Sequence, residues 1–169
     1  RDNSKLEIKA NYMKKNTISI NKNCALIVSS SDAYSDLWEP FFNLLKRYWS
    51  DCEMPIYLIT EEKEKEIQNV SFICAGKNSN WSDRLIYSIE KINKPYVILM
   101  LEDFFLRSKI SNENLNNIFN QFVIKDMNMI RLIDRTGPNL NLNNNCNIGQ
   151  IKKGTPFRVS TQASIWKSK

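Results

Sequence analysis

Tyr96-Val97-Ile98-Leu99-Met100-Leu101 is an unbroken run of large apolar side chains. It has none of the alternation of a half-exposed strand, so it predicts a strand buried on both faces, as in a parallel sheet covered by helices. That one expectation constrains the rest of the chain, because parallel strands need long crossover connections and a helix layer to cover them. The run stops at Glu102-Asp103 and resumes as Phe104-Phe105-Leu106. Two adjacent acids between apolar runs are costly unless they meet water, a cation or a hydrogen-bonding partner. The carboxyl end of such a strand is where open α/β sheets bind ligands, so Glu102 and Asp103 are read first as a site for a metal and a diphosphate.

The flanking sequence supplies the expected partners. Cys24-Ala25-Leu26-Ile27-Val28 is a second buried strand, opening at Ser29-Ser30-Ser31-Asp32 into a polar loop. From Asp36, a plausible N-cap, the spacing of Leu37, Trp38, Phe41, Phe42, Leu44, Leu45, Tyr48 and Trp49 predicts a helix. Pro55 to Thr60 and Val70 to Ala75 read as further strands. Asn80 or Ser82 caps a helix carrying Leu85, Ile86, Ile89 and Ile92, and Ser111 or Asn112 caps another carrying Leu115, Ile118, Phe119 and Phe122. Met127 to Ile133 is a fifth strand, Asp134 to Asn147 a long loop, and the loose alternation from Gly149 onward predicts strands beside that loop. At 169 residues with no internal repeat or linker, the chain is expected to be a single domain. Its fold class is three-layer α/β/α with a mostly parallel central sheet, built from a lead-in over residues 1–23 and a core over 24–169.

Composition removes whole classes of chemistry. The chain has no histidine, hence no Ser-His-Asp or Cys-His machinery. Its four glycines form no GxGxxG, GxxxxGK[ST] or GxSxG motif, against dinucleotide oxidoreductases, P-loop hydrolases and α/β-hydrolases. Cys24, Cys52, Cys74 and Cys146 are too scattered for a CxxC pair and are expected to be free thiols in a reducing cytoplasm. The net charge of +6 favours anionic partners. The lysines are dispersed, which reads as a solvated surface and not a nucleic-acid face. No apolar run reaches the ~18 to 20 residues that cross a bilayer. The start at Arg1 lacks an initiator Met and a signal pattern, so the piece is expected to be cut from a longer chain, and truncated at its C-terminus.

The polar tips of successive strands, Ser29 to Asp32, Thr60-Glu61 and Glu102-Asp103, can line one crevice. Hard cations such as Mg²⁺ or Mn²⁺ take carboxylate and phosphate oxygens and need no histidine. With Asn80-Trp81-Ser82-Asp83-Arg84 about one helix upstream of Leu101-Glu102-Asp103-Phe104-Phe105, the chain resembles the GT-A type nucleotide-sugar glycosyltransferases. Within that superfamily it is most similar to bacterial transferases of surface polysaccharides such as capsule and lipopolysaccharide.

The resemblance implies a nucleotide-diphospho-sugar transferase fold and a donor site at Ser29, Ser30, Ser31, Asp32, Thr60, Glu61, Asp83, Arg84, Glu102 and Asp103. Tyr34 belongs to the same loop. Glu102 and Asp103 would hold a divalent cation, Mg²⁺ or Mn²⁺; Phe104 and Phe105 stand where an Asp-X-Asp pattern would put its second acid, so either one carboxylate plus water holds the metal or transfer is metal-independent. Gln162 and Trp166 fall on the acceptor side. The proton of the acceptor hydroxyl would go to Asp134 or to an acid beyond Lys169. The implied function is transfer of a sugar from a nucleoside-diphosphate sugar to a glycan or lipid-linked acceptor, in the cytoplasm or at the inner face of the membrane. Peripheral membrane association would come from other segments of the full-length protein. A non-catalytic glycan- or protein-binding module on the same scaffold is the alternative, and a metal-dependent nuclease or phosphatase a third. Each motif also has a plainer use as a strand terminator, a helix cap or a packing residue.

Overall fold

The computed structural model of the chain describes residues 18–133, 137–138, 140–141 and 148–168. A short helix α1 (Ile20–Asn23) leads into β1 (Cys24–Ser29), then a single 3-10 turn at Asp32–Tyr34, α2 (Trp38–Tyr48), β2 (Ile56–Thr60) and β3 (Val70–Cys74). There follow α3 (Trp81–Ile92), β4 (Tyr96–Leu101), α4 (Asn112–Ile124), β5 (Met129–Arg131), a two-residue pair β6 (Leu140–Asn141) and β7 (Gly149–Gln150), and β8 (Ser164–Lys167).

Six strands form one sheet in the order β3-β2-β1-β4-β8-β5. The first four are parallel, and β8 runs antiparallel to both of its neighbours, β4 and β5. The α/β architecture expected from the apolar runs is therefore present, with a mixed, mostly parallel sheet. At the centre β1 and β4 are in register along their whole length, from Cys24 opposite Tyr96 to Ser29 opposite Leu101. All six residues of β1 are buried. Their unbroken apolarity follows from a position in the middle of the sheet with helices on both sides.

Those helices divide as chain direction requires. After β1 the chain winds through α2 to β2 on one side; after β3 it crosses back through α3 to β4 on the other. Right-handed crossovers in opposite directions put their helices on opposite faces. Leu26, Val28, Leu58, Ile98 and Met100 pack with Trp38, Phe41, Phe42 and Leu45 of α2 and Leu115, Phe119 and Phe122 of α4. Ile27, Ile59, Val97 and Leu99 face the other way, against Leu85, Ile89 and Ile92 of α3.

Local signals explain most element ends. Asn80 caps α3 by accepting from the Asp83 N–H, and Ser111 caps α4 by accepting from the Asn114 N–H. Asn93, left-handed at φ 49°, closes α3. The expected Asp36 cap is not used. Leu37 stands at that position with helical backbone and no side-chain cap, because the 3-10 turn feeds directly into α2. The expected strand from Met127 to Ile133 shortens to Met129–Arg131. Gly149 is required by crowding, since a Cβ there would lie 2.2 Å from Cβ of Pro138. No described helix is long and apolar enough to cross a membrane.

Phe119 is fully buried and meets Tyr96 edge to face at 5.1 Å between ring centroids, whereas Ile124 at the end of the same helix is 55% exposed. Phe119→Ala is expected to cost about 3–5 kcal/mol in urea unfolding, and Ile124→Ala less than about 0.5 kcal/mol.

Candidate functional site

The strand order creates one reversal point. β2 and β3 lie on one side of β1 and β4 on the other, so the carboxyl ends of the parallel strands β1 and β4 stand side by side where the strand order reverses, the place at which open α/β sheets form a ligand crevice. Ser29 and Ser30 stand at the β1 end of this crevice, and Glu102 and Asp103 follow directly on β4. The register fixes their relation: with Ser29 opposite Leu101, the next residues, Ser30 and Glu102, come side by side.

Two tryptophans hold the serines. Nε1 of the fully buried Trp38 donates to Ser30 Oγ at 2.7 Å, and Nε1 of Trp81 donates to Ser29 Oγ at 2.9 Å. The Ser30 hydroxyl, which donates to Ser31 O at 3.3 Å, also lies beside the Glu102 carboxyl. Glu102 is only 7% exposed, and burial pushes its carboxyl above its ordinary value; its own backbone N–H is the main offset, the neighbouring Asp103 pushes up, and Ser30 offsets least. Asp103 is exposed at the mouth, where the backbone turns from Leu101 O to Phe104 N–H at 3.2 Å.

A second set of side chains ties the β2 tip to its surroundings. The Asp32 carboxylate accepts from the backbone N–H groups of Glu61, Glu62 and Lys63 at 3.1 to 3.2 Å. In return Glu61 Oε2 accepts from the Asp32 N–H at 2.8 Å, and Glu61 Oε1 takes Nη1 of Arg84 at 3.2 Å. Arg84 also donates to Ser79 O at 2.9 Å. Asp32, Glu61 and Arg84 thus form a chain from the β1 loop across the β2 tip to α3. The pair Glu61–Arg84 is largely sheltered, its side chains 22% and 12% exposed.

Several of the residues expected at the site from sequence therefore come together: Ser29, Ser30, Glu102 and Asp103 at the reversal point, and Asp32, Glu61 and Arg84 beside it. Others have different work. Thr60 is fully buried, and its hydroxyl closes the turn onto Lys63 O at 2.9 Å, so it does not face the crevice. Asp83 is exposed and its carboxylate accepts from Asn80 Nδ2 at 2.7 Å, completing the α3 cap. Trp166 pairs with Val97 near the start of β4, packs on the α3 face and donates to Ser164 Oγ, at the opposite end of β8 from Gln162. The acceptor-side expectation consequently separates into Gln162, toward the crevice end, and Trp166, away from it. Asp134 lies outside the described residues, as does Cys146; Cys24, Cys52 and Cys74 are free thiols, with Cys24 pushed up to about 12 by burial.

Trp81 is the contributor that sequence reasoning left unassigned. The α3 stripe of Leu85, Ile89 and Ile92 extends back by one turn to residue 81, which brings that ring to the carboxyl edge of the sheet.

For a divalent cation, the chemistry of the donor set is two adjacent carboxylates, one of them buried without full compensation. No cluster of three or more acids or cysteines is present among the described residues. Mg²⁺ and Mn²⁺ suit such a site, since they bind through one or two carboxylates with water and phosphate oxygens completing the shell. Glu102 and Asp103 are carboxylates of that kind.

No protein-family model matches the chain, and no curated protein matches it in sequence. Among solved structures, the mannosyltransferase PcManGT from Pyrobaculum calidifontis, in complex with GDP-Man and Mn²⁺, matches with a TM-score of 0.50 and 8% identity over 67% of this chain. The match takes in 36% of that chain, so this sequence spans about a third of the length of the mannosyltransferase. At this identity the likeness is one of fold.

Two expectations follow for stability. Because the buried Glu102 carboxyl has its affinity for protons raised on folding, its cost is absent at pH below the ordinary value of 4.5 and develops as pH rises above it. Glu102→Gln should melt higher than the parent at pH 8, with the gain vanishing toward pH 4. Asp32→Ala should cost about 1–2 kcal/mol by unpairing the backbone donors of the β2 loop, and should speed limited proteolysis within residues 61–66.

Proposed function

We propose that the chain carries the donor site of a glycosyltransferase that uses a nucleoside-diphosphate sugar. The observation that carries this reading is the Ser30–Glu102–Asp103 grouping at the reversal point between β1 and β4. It is supported by a fold shared with a transferase solved with GDP-Man and Mn²⁺.

In this reading the nucleoside lies along the β1 and β2 tips. Asp32, Glu61 and Arg84 brace the loops that shape its pocket, and Ser31 and Tyr34 border it. Trp81 narrows the crevice beside Ser29, which excludes water from that side. Trp38 holds Ser30 beside Glu102, and Asp103 meets the diphosphate end of the donor. A divalent cation bound at Glu102 and Asp103 would neutralise charge on the leaving diphosphate. The acceptor, a glycan or a lipid-linked saccharide, approaches from the Gln162 side, and a carboxylate takes its hydroxyl proton. A role in bacterial surface-polysaccharide synthesis, at the cytoplasmic face of the membrane, completes the proposal.

The test is thermal melting of the chain with UDP, GDP or CMP, each with and without Mn²⁺. A ligand at about 100 times its dissociation constant should add roughly 2.7 kcal/mol. One nucleotide should raise the melting temperature, and Asp103→Ala should abolish the metal-dependent part of that rise. No response to any nucleotide in either condition would overturn the reading.

A further inference from the structure

We propose that the open edge of β3 pairs antiparallel with β3 of a second copy of this chain, joining the two sheets about a two-fold axis at Phe72. The proposal goes beyond the transferase reading and does not depend on it.

β3 ends the six-stranded sheet, with β2 on its inner side. The Ala75 N–H donates to Thr60 O at 3.1 Å, and in a parallel ladder that alternation turns the backbone groups of Ser71 and Ile73 toward β2 and those of Phe72 and Cys74 outward. Val70 closes its N–H on Ile67 O at 3.1 Å and keeps its carbonyl outward. Among the described residues, no backbone group pairs with these outward donors and acceptors. Edge strands are ordinarily guarded by lysine, proline or a bulge. Val70-Ser71-Phe72-Ile73-Cys74 has no charged residue and no proline, and its register against β2 is unbroken. The other edge of the sheet, β5, is only three residues long.

Pairing with itself satisfies this edge in one register. With Phe72 opposite Phe72 of the second copy, the two exchange both bonds, and each Cys74 N–H donates to Val70 O of the other copy. Ser71, small and exposed, then lies opposite Ile73 of the second copy. The charges beside the edge have the same symmetry. A groove of about 360 Å³ is lined by Tyr57, Phe72, Ile73, Glu64 and Lys91. Glu64 stands toward the carboxyl end of β3, with Oε1 3.4 Å from Sγ of Cys74. α3 returns the chain from the carboxyl end of β3 to the amino end of β4, so Lys91 in its last turn stands toward the amino end, over the Tyr87 ring at 4.5 Å. Neither charge has an ion-pair partner among the described residues. Antiparallel pairing sets the Glu64 end of each copy against the Lys91 end of the other, a complementarity that a two-fold axis supplies twice.

The experiment is sedimentation equilibrium of the chain from micromolar to submillimolar concentration, with amide hydrogen exchange followed over the same range. A monomer–dimer equilibrium is expected, and the Phe72 and Cys74 amides should gain protection as concentration rises. Lys91→Glu and Glu64→Lys should each weaken association roughly tenfold by bringing like charges together. The variant carrying both changes should recover most of the loss. Ser71→Lys, which guards the edge, should weaken association by at least about as much as either single reversal. Unchanged melting temperatures establish that these variants fold. The proposal is overturned by a monomer at every concentration, by a dimer whose Phe72 and Cys74 amides stay unprotected or that tolerates Ser71→Lys, or by a double variant no better than the single ones. Protection that does not depend on concentration would assign the edge to a segment of the same chain, and likewise overturns it.

Discussion

The pairing of β1 with β4 is the interaction on which the remaining structure depends. It is the one ladder at which the strand order reverses, and it spans the full length of both strands. Side chains in a strand alternate between faces, so a slip of β4 by one residue would turn Ile98 and Met100 from the α2–α4 side to the α3 side. The same slip would carry Glu102 away from Ser30. Core packing and site geometry are thus specified by a single register, and the large apolar side chains on both faces of β1 and β4 make that register costly to leave.

Polar side chains hold the crevice mouth together where the apolar core ends. Two contacts tie strand tips to other elements: Trp81 Nε1 to Ser29 at the end of β1, and the Asp32 carboxylate to the β2 loop. Such contacts satisfy groups that burial would otherwise leave unpaired. They leave Asp103 as the exposed acid at the mouth, and Glu102 as a carboxyl whose charge is poorly compensated by the protein alone.

Much of the scaffold was legible from sequence because its strands are wholly apolar and its helices carry clear stripes and caps. Asn80 and Ser111 were readable as caps since each precedes an apolar periodicity. Strand direction was not readable: Ser164 to Lys167 has the pattern of a strand, but a period of two carries no orientation, and its antiparallel insertion comes from tertiary pairing alone. At the site, residue type did not tell which short polar side chains bond locally. Thr60 and Asp83 are short polar side chains at element ends, and both bond locally, to the turn and to the cap, in preference to facing outward. Asp36 failed as a cap because a 3-10 turn already enters the helix. Trp166 sits four positions along an antiparallel strand from Gln162, and only the direction of β8 tells which end each occupies.

The position of β8 also sets an order of events during synthesis. It is the last described strand in the chain, yet it lies between β4 and β5. Until Ser164 to Lys167 has left the ribosome, β4 is the border of a four-stranded sheet. Its unpaired backbone, flanked by Val97, Ile98 and Leu99, is then open to any extended segment nearby. Closing that gap joins residues more than sixty positions apart, a contact that forms late and at high entropic cost. The nascent chain therefore keeps an apolar edge open along β4, the strand that leads into Glu102 and Asp103, until β8 arrives.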